Sequence, residues 1–272
     1  MEFKGTKMAV KAHYIFDVDG TLTPSRDKID PQFAEWFKQF VTVNTVCLVT
    51  GSDRIKTIEQ IGEMLFNMCD MAYNCSGNDV YRFGMPHRKN EWKLSQEHLD
   101  WLDVKLKQSK WKIYTGQHID QRTGTANFSV VGRGASWSQR KEYYLWDQQN
   151  KQRESIAKEM IERFPELDAK VGGETGIDIF EKGKDKSQII DDFPYEDKLR
   201  FFGDRIDPSG NDYTLAQAIA RRSPAHRNNK IFKVRDWQHT WDELKYFDPR
   251  LPMYKGDGKP EPLTAKQRNK LI

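Results

Sequence analysis

The stretch His13-Tyr14-Ile15-Phe16-Asp17-Val18-Asp19-Gly20-Thr21 constrains the chain most. It begins apolar and β-rich, turns acidic, and stops at Asp-Gly, so it reads as a strand that ends in a tight turn. A second run, Thr45-Val46-Cys47-Leu48-Val49, is short, β-branched and bounded by Thr50-Gly51-Ser52. Such a run suits a strand buried on both faces of a parallel sheet. Between the two, Phe33, Trp36, Phe37 and Phe40 recur at helical spacing after the start signal Asp30-Pro31. After the second, Ser52 can cap a helix in which Ile55, Ile58, Ile61 and Leu65 recur at helical spacing. Strand, helix, strand, helix predicts a parallel α/β unit.

The pattern changes after about Gly84. Residues 85–111 are polar and rich in tryptophan. Phe128-Ser129-Val130-Val131 alternates, Ile156, Met160, Ile161 and Phe164 mark an amphipathic helix, and Ile177-Asp178-Ile179-Phe180 reads as a strand. This block predicts an inserted α+β unit with an antiparallel sheet. The α/β pattern returns with Leu199 to Asp204, a helix from Tyr213 to Ala220 and a strand from Lys230 to Val234. The expected division is a doubly wound α/β core over 1–84 and 188–247, a cap over 85–187, and an irregular basic tail over 248–272. A chain of 272 residues is long enough for two such cores.

Composition narrows the function classes. The chain has no run of 18 apolar residues, which excludes a transmembrane helix, and Met1 to Lys11 lacks the pattern of a secretory signal. Three cysteines, Cys47, Cys69 and Cys75, without C-x-x-C spacing argue against a disulfide scaffold or structural zinc, and a reducing cytoplasm is the natural compartment. The net charge of +4 is matched by the tail alone, where six Lys/Arg face two Asp/Glu from Arg250 onward. A neutral body does not look like a nucleic-acid-binding surface, although a local basic cleft within it remains an alternative.

The chemistry centres on Asp17 and Asp19. Two carboxylates at i and i+2 of a strand point to one face, at the carboxyl end where α/β sheets place ligands. They repel unless a cation or proton separates them, and Mg²⁺ suits oxygen ligands and phosphate. That arrangement fits phosphoryl transfer, with Asp17 as nucleophile and Asp19 as general acid and base. Otherwise the pair is a turn whose aspartates cap the next segment. Thr50 and Ser52, at a strand end and helix start, can hold phosphate oxygens or serve as a plain cap. Lys186, in the charged run 182–186, can neutralise the nucleophile or be a solvated surface residue. Asp204 ends another apolar strand and can complete a metal site, supported by Asp212, or both can belong to ordinary turns.

In this order, the pieces resemble the haloacid dehalogenase superfamily of Mg²⁺-dependent phosphotransferases, with its Rossmann-like core. The nearer resemblance is to the eukaryotic-type phosphomannomutase family, and it runs from about residue 12 to 245. It rests on Phe16 to Thr23 with Arg26; Val49-Thr50-Gly51-Ser52-Asp53; Arg122-Thr123-Gly124; Asn127-Phe128-Ser129; Gly132-Arg133; Arg140; Gly172-Gly173 with Asp178-Ile179-Phe180; Asp185-Lys186; and Phe202-Gly203-Asp204 with Gly210-Asn211-Asp212. The chain differs in carrying Gly176 where the family has serine and Thr50 where it often has glycine.

The resemblance implies a role for each position. Asp17 is the nucleophile and Asp19 the acid/base. Asp17, the Asp19 carbonyl and Asp204 hold Mg²⁺. Arg26, Arg122, Arg133 and Arg140 bind the sugar and its non-transferred phosphate, and Asp178, with position 176 beside it, meets the sugar. Arginine forks match a phosphate dianion. It further implies a hexose bisphosphate activator and a homodimer formed through the cap, for which the aromatic residues of 92–146 supply either surface or core. The expected function is interconversion of mannose 1-phosphate and mannose 6-phosphate. The alternative is a sugar-phosphate phosphatase, in which water takes the phosphoryl group, and a third reading is a non-catalytic protein whose basic tail binds nucleic acid.

Overall fold

The computed structural model describes residues 10–222, 229–247, 253–254 and 260–261. Most of Met1–Lys11 and of the tail from 248 lie outside the described residues. Within that tail, Met253–Tyr254 pairs antiparallel with Pro260–Glu261. The chain divides into two compact units, Met1–His87 with Lys186–Ile272, and Arg88–Asp185.

The first unit opens with β1 (Ala12–Phe16), α1 (Pro31–Val43) and β2 (Thr45–Val49). The Asp30 carboxylate accepts from the backbone N–H groups of Gln32 and Phe33 and so caps α1, with Pro31 at its first position. The buried face of α1 carries Phe33, Trp36, Phe37, Phe40 and Val41. Next come α2 (Arg54–Ile61) and α3 (Glu63–Met68), which meet at Gly62 with φ +83°. The sequence expects one helix here, capped by Ser52 and apolar at Ile55. Instead Asp53 caps it by accepting from Lys56 N, and Ile55 is 79% exposed. The inward face of α2 is Thr57, Gln60 and Ile61, so polar groups replace the expected apolar stripe. The strands β3 (Met71–Asn74), β4 (Asp79–Arg82) and β5 (Met85–Lys89) follow.

The second unit contains α4 (Gln96–Lys107), β6 (Ile119–Arg122), β7 (Thr125–Ser129), α5 (Trp137–Asn150), α6 (Gln152–Arg163), β8 (Leu167–Gly172) and β9 (Gly176–Glu181). Its four strands form one antiparallel sheet in the order β6-β7-β9-β8. Strand alternation sorts the side chains. Ala126, Phe128, Leu167, Ala169, Ile177 and Ile179 join one core with Leu102, Tyr143, Ile156 and Met160 of the helices. The other face is polar. Register sets Asp120, Asn127, Asp178 and Lys170 in one row across all four strands. β7 ends at Ser129, and Val130 and Val131 are both buried beyond it rather than alternating. Trp92, Trp101, Trp111 and Trp146 pack against this core, while Trp137 is exposed. The Arg153 guanidinium donates to Asp147 Oδ2 at 2.8 Å and to the Gly173 carbonyl at 3.0 Å, tying the β8–β9 turn to α5 and α6.

The chain re-enters the first unit at Lys186, which opens a short 3₁₀ segment, Lys186–Asp192. The sequence assigns Lys186 to the insert. It belongs to the first unit because Ile189 and Phe193 pack with Ile15, Cys47, Val49 and Phe201 on the sheet. β10 (Lys198–Gly203), α7 (Tyr213–Arg221), β11 (Lys230–Lys233) and α8 (Trp237–Phe247) complete the unit. The seven-stranded sheet runs β11-β10-β1-β2-β3-β4-β5. Every pairing from β11 to β3 is parallel, and β4 runs antiparallel to β3. Alternate residues feed two cores. Tyr14, Phe16, Val46 and Leu48 face α1, and Ile15, Cys47 and Val49 face Leu215 and Ile219 of α7. This is the doubly wound α/β architecture, with crossovers on both sides of β1.

Candidate active site

Three parallel strands lying side by side deliver the first cluster. Asp17 follows β1, Asp204 follows β10 and Thr50 follows β2, all at carboxyl ends. The Asp17 backbone N–H still donates to the Phe202 carbonyl at 3.0 Å, so the position of Asp17 is fixed by the sheet. Lys186 Nζ donates to Asp17 Oδ1 at 2.5 Å and to Asp212 Oδ1 at 2.7 Å. All three of these side chains are buried. The remaining Asp212 oxygen accepts from Arg205 N at 3.2 Å, so Asp212 spends no side-chain bond on capping α7. Carboxylate oxygens of Asp17, Asp204 and Asp212 all lie within 4.8 Å of one another.

One ammonium among three carboxylates leaves the cluster short of positive charge. Burial, then Asp212, pushes the Asp17 carboxyl well above the usual range, against the pull of Lys186. Burial and Asp212 likewise push Asp204 up to about 6. Burial works against the Lys186 ammonium, but Asp17 and Asp212 outweigh it and hold the group above its ordinary value. Gly20 closes the loop over Asp204. Its φ is +77°, and a Cβ there would lie 2.5 Å from Asp204 Oδ2. Backbone and carboxylate approach so closely that only glycine fits.

Asp19 sits differently. β1 ends at Phe16, and the chain then turns, so the strand rule that points both carboxylates to one face does not hold. Asp19 Oδ1 accepts from the backbone N–H of Arg26 at 2.6 Å and from Gln60 Nε2 at 3.0 Å. Its Oδ2 accepts from Ser52 Oγ at 3.4 Å. Gln60 is buried and also donates to Thr23 Oγ1 at 3.2 Å. Arg26 holds a left-handed φ of +59° that brings its amide to Asp19. Thr50 Oγ1 accepts from Ser52 N at 3.0 Å, so the two hydroxyl residues share one turn.

A cationic cluster occupies the polar face of the second unit's sheet. Arg122 Nε and Arg133 Nη2 both donate to Asp120 Oδ2, at 2.9 and 2.6 Å. Burial lowers the Arg133 pKa and its neighbours Arg122 and Arg140 lower it further, with Asp120 opposing them. Two guanidiniums sharing one carboxylate, with the Arg140 charge near Arg133, leave positive charge to spare for an anion. Asp178 accepts from Asn127 Nδ2 at 2.6 Å on the same face.

The family profile described as eukaryotic phosphomannomutase matches residues 33–229. The chain belongs to the eukaryotic phosphomannomutase family. It is similar to a phosphomannomutase of Arabidopsis thaliana, 32% identical over 220 residues, covering 75% of this chain and 86% of the relative. A Schizosaccharomyces pombe phosphomannomutase is 31% identical over 224 residues, covering 75% of this chain and 85% of that one. Among solved structures, a haloacid dehalogenase-like hydrolase from Bacteroides thetaiotaomicron superposes with a TM-score of 0.55 at 12% identity, covering 87% of this chain and 99% of the other. Its likeness is one of fold.

Phosphomannomutase-family enzymes transfer phosphoryl groups through an aspartyl-phosphate with Mg²⁺. In this member, Asp17, Lys186, Asp204 and Asp212 come together in the first unit, with Thr50 and Ser52 at the neighbouring strand end. Arg122, Arg133, Arg140 and Asp178 come together in the second unit, whereas Arg26 belongs to the first and is exposed. The Asp19 carboxylate does not join the acidic cluster. The cluster fits a divalent cation: three hard oxygen donors converge, and Gly20 carries no Cβ to crowd Asp204 Oδ2. Sequence reasoning did not single out Gln60, Thr23 or Asp120. Gln60 left one signal, since Thr57 and Gln60 stand i, i+3 beside Ile61 where an apolar stripe is due. Asp120 left none, because a lone acid in a polar strand has no distinguishing pattern.

Proposed function

We propose that the protein is a phosphohexomutase that interconverts mannose 1-phosphate and mannose 6-phosphate through phospho-Asp17. The observation that carries this reading is the Asp17–Lys186–Asp212 triad beside Asp204 at the carboxyl ends of adjoining parallel strands. The phosphoryl group passes from a hexose bisphosphate to Asp17, breaking the ester bond and leaving a hexose monophosphate. In the reverse step the free hydroxyl of a monophosphate attacks phospho-Asp17 and restores the carboxylate. Asp19 supplies the proton to the departing sugar oxygen and removes it from the attacking one. Lys186 holds Asp17 in place and offsets its charge as phosphate approaches. Asp17, Asp204 and Asp212 hold Mg²⁺, with Asp19 contributing its backbone carbonyl; when bound, the ion offsets charge on the phosphoryl oxygens.

Arg26, Arg122, Arg133 and Arg140 bind the sugar and the phosphate that stays on it, and Asp178 accepts from sugar hydroxyls. A bisphosphate that must be bound in either orientation needs such a second anion site. A hexose bisphosphate primes the cycle. The protein works as a homodimer in the cytoplasm. Cys47, Cys69 and Cys75 are buried thiols that form no disulfide, which suits a reducing compartment, and among the described residues no helix is long and apolar enough to cross a membrane.

The test is an assay with mannose 1-phosphate and Mg²⁺, with and without a hexose bisphosphate. Mannose 6-phosphate is the expected product. Free phosphate and mannose in its place make the protein a sugar phosphatase. Asp17→Asn abolishes either activity, and turnover surviving in that variant excludes Asp17 as the nucleophile.

A further inference from the structure

The polar face of the second unit's sheet holds a side chain whose chemistry is left incomplete. Asn127 stands mid-strand in β7, between Asp120 and Asp178 in the cross-strand row. It is 7% exposed. Its Nδ2 donates to Asp178 Oδ1 at 2.6 Å, yet its Oδ1 is buried with no hydrogen-bond partner. A buried acceptor without a donor is costly and is rarely left so. Ser129, two residues along the same strand and paired with Gly176, also has a buried hydroxyl without a partner. Gly176 makes room for this arrangement. A Cβ on it would lie 2.4 Å from Asn127 Nδ2 and 2.8 Å from Asn127 Oδ1, so the amide fills the space of the absent side chain.

The geometry points to Asn127 as a specificity-determining residue whose Oδ1 accepts a hydrogen bond from a sugar ring hydroxyl next to the one taken by Asp178. The Nδ2 bond to Asp178 fixes the amide, so its oxygen stays aimed as an acceptor. Two acceptors side by side, one amide and one carboxylate, match a pair of neighbouring hydroxyls, each of which donates one proton. The ligand class is therefore a hexose phosphate with its ring hydroxyls intact. This rests on the hexose-phosphate reading given above.

The test is a cycle between protein and substrate. Turnover of mannose 1-phosphate and of its single-deoxy analogues is measured for the wild-type enzyme, for Asn127→Ala and for Gly176→Ala. The last retains the amide but displaces it. Thermal unfolding of each variant reports whether it folds. The wild-type enzyme is expected to lose about tenfold in kcat/KM on one deoxy analogue, the scale of one hydrogen bond. In both variants mannose 1-phosphate falls by a similar factor, and that same analogue falls no further. If every substrate falls by the same factor in folded variants, Asn127 acts through structure alone and the inference is wrong. If the wild-type enzyme turns over no hexose phosphate at all, the functional reading falls and takes this inference with it.

Discussion

Lys186 reaches Asp17 across 169 positions of sequence to donate a hydrogen bond of 2.5 Å, with both side chains buried. The bond joins the first strand of the sheet to the segment where the chain returns from the second unit. It also leaves Asp17 and Asp212 sharing the Lys186 ammonium.

Lys186→Met is therefore expected to destabilise the protein by about 3–5 kcal/mol, because it strands two buried carboxylates beside each other. Denaturant unfolding in the presence of EDTA reads this directly. A loss under about 1 kcal/mol would mean that the carboxylates find another way to neutralise. Added Mg²⁺ should return part of the loss if the three acids share an ion.

Gln60→Leu removes one donor from Asp19 Oδ1 and leaves the Arg26 amide and Ser52 in place. The expected effect is a drop in kcat of roughly tenfold to a hundredfold with KM nearly unchanged, the scale for groups that orient a reacting residue. An unaltered kcat alongside lowered stability would reduce Gln60 to a packing residue.

Arg133→Ala is expected to raise KM for mannose 1-phosphate by about tenfold to a hundredfold, the loss of a charge-assisted bond of about 1.5–3 kcal/mol. p-Nitrophenyl phosphate, which has no second anchoring group, should show a much smaller change. Equal effects on both substrates would contradict a role for Arg133 at the far end of the sugar phosphate.

Acid stability offers a check away from the site. Burial alone would raise the Asp197 pKa, but the Lys11 backbone N–H at 2.9 Å and His13 Nε2 at 2.7 Å, with their charges, win and lower it. A lowered folded value means that the contribution is complete above about 4, the unfolded carboxylate range, and disappears as pH falls through the folded value. Asp197→Asn should therefore cost stability at pH 7 and cost less and less below about pH 4. Melting temperatures of the two proteins that stay equally far apart down to pH 2 would contradict this.

Sequence reasoning reached the parallel core because β2 is a short β-branched apolar run, β1 and β10 carry Tyr14-Ile15-Phe16 and Phe201-Phe202 toward their ends, and α1 repeats its aromatics at one spacing. It misjudged α2, where the inward face answers to Asp19 rather than to a hydrophobic core. It passed over α4, although Ser95 and His98 form a reciprocal cap there, since that box uses histidine where glutamate or glutamine is the usual sign. Asp17 and Asp204 were legible because each follows a strand. Their partners were not. Lys186 sits in a charged run that reads as solvated surface, and only the fold turns it inward to 1% exposure. The cross-strand row Asp120–Asn127–Asp178–Lys170 joins four strands, and no local pattern announces that register.

The close approach of Gly20 to Asp204 welds a loop backbone to an acid that arrives from the far half of the chain. Neither position can drift alone. Saturation mutagenesis at residue 20 should return glycine and nothing else among active clones, while Gly51, at the end of the adjoining strand with no atom within 4 Å of an added Cβ, should tolerate many replacements. Two glycines that look alike in a turn would thus have opposite evolutionary freedom, decided by a single oxygen atom.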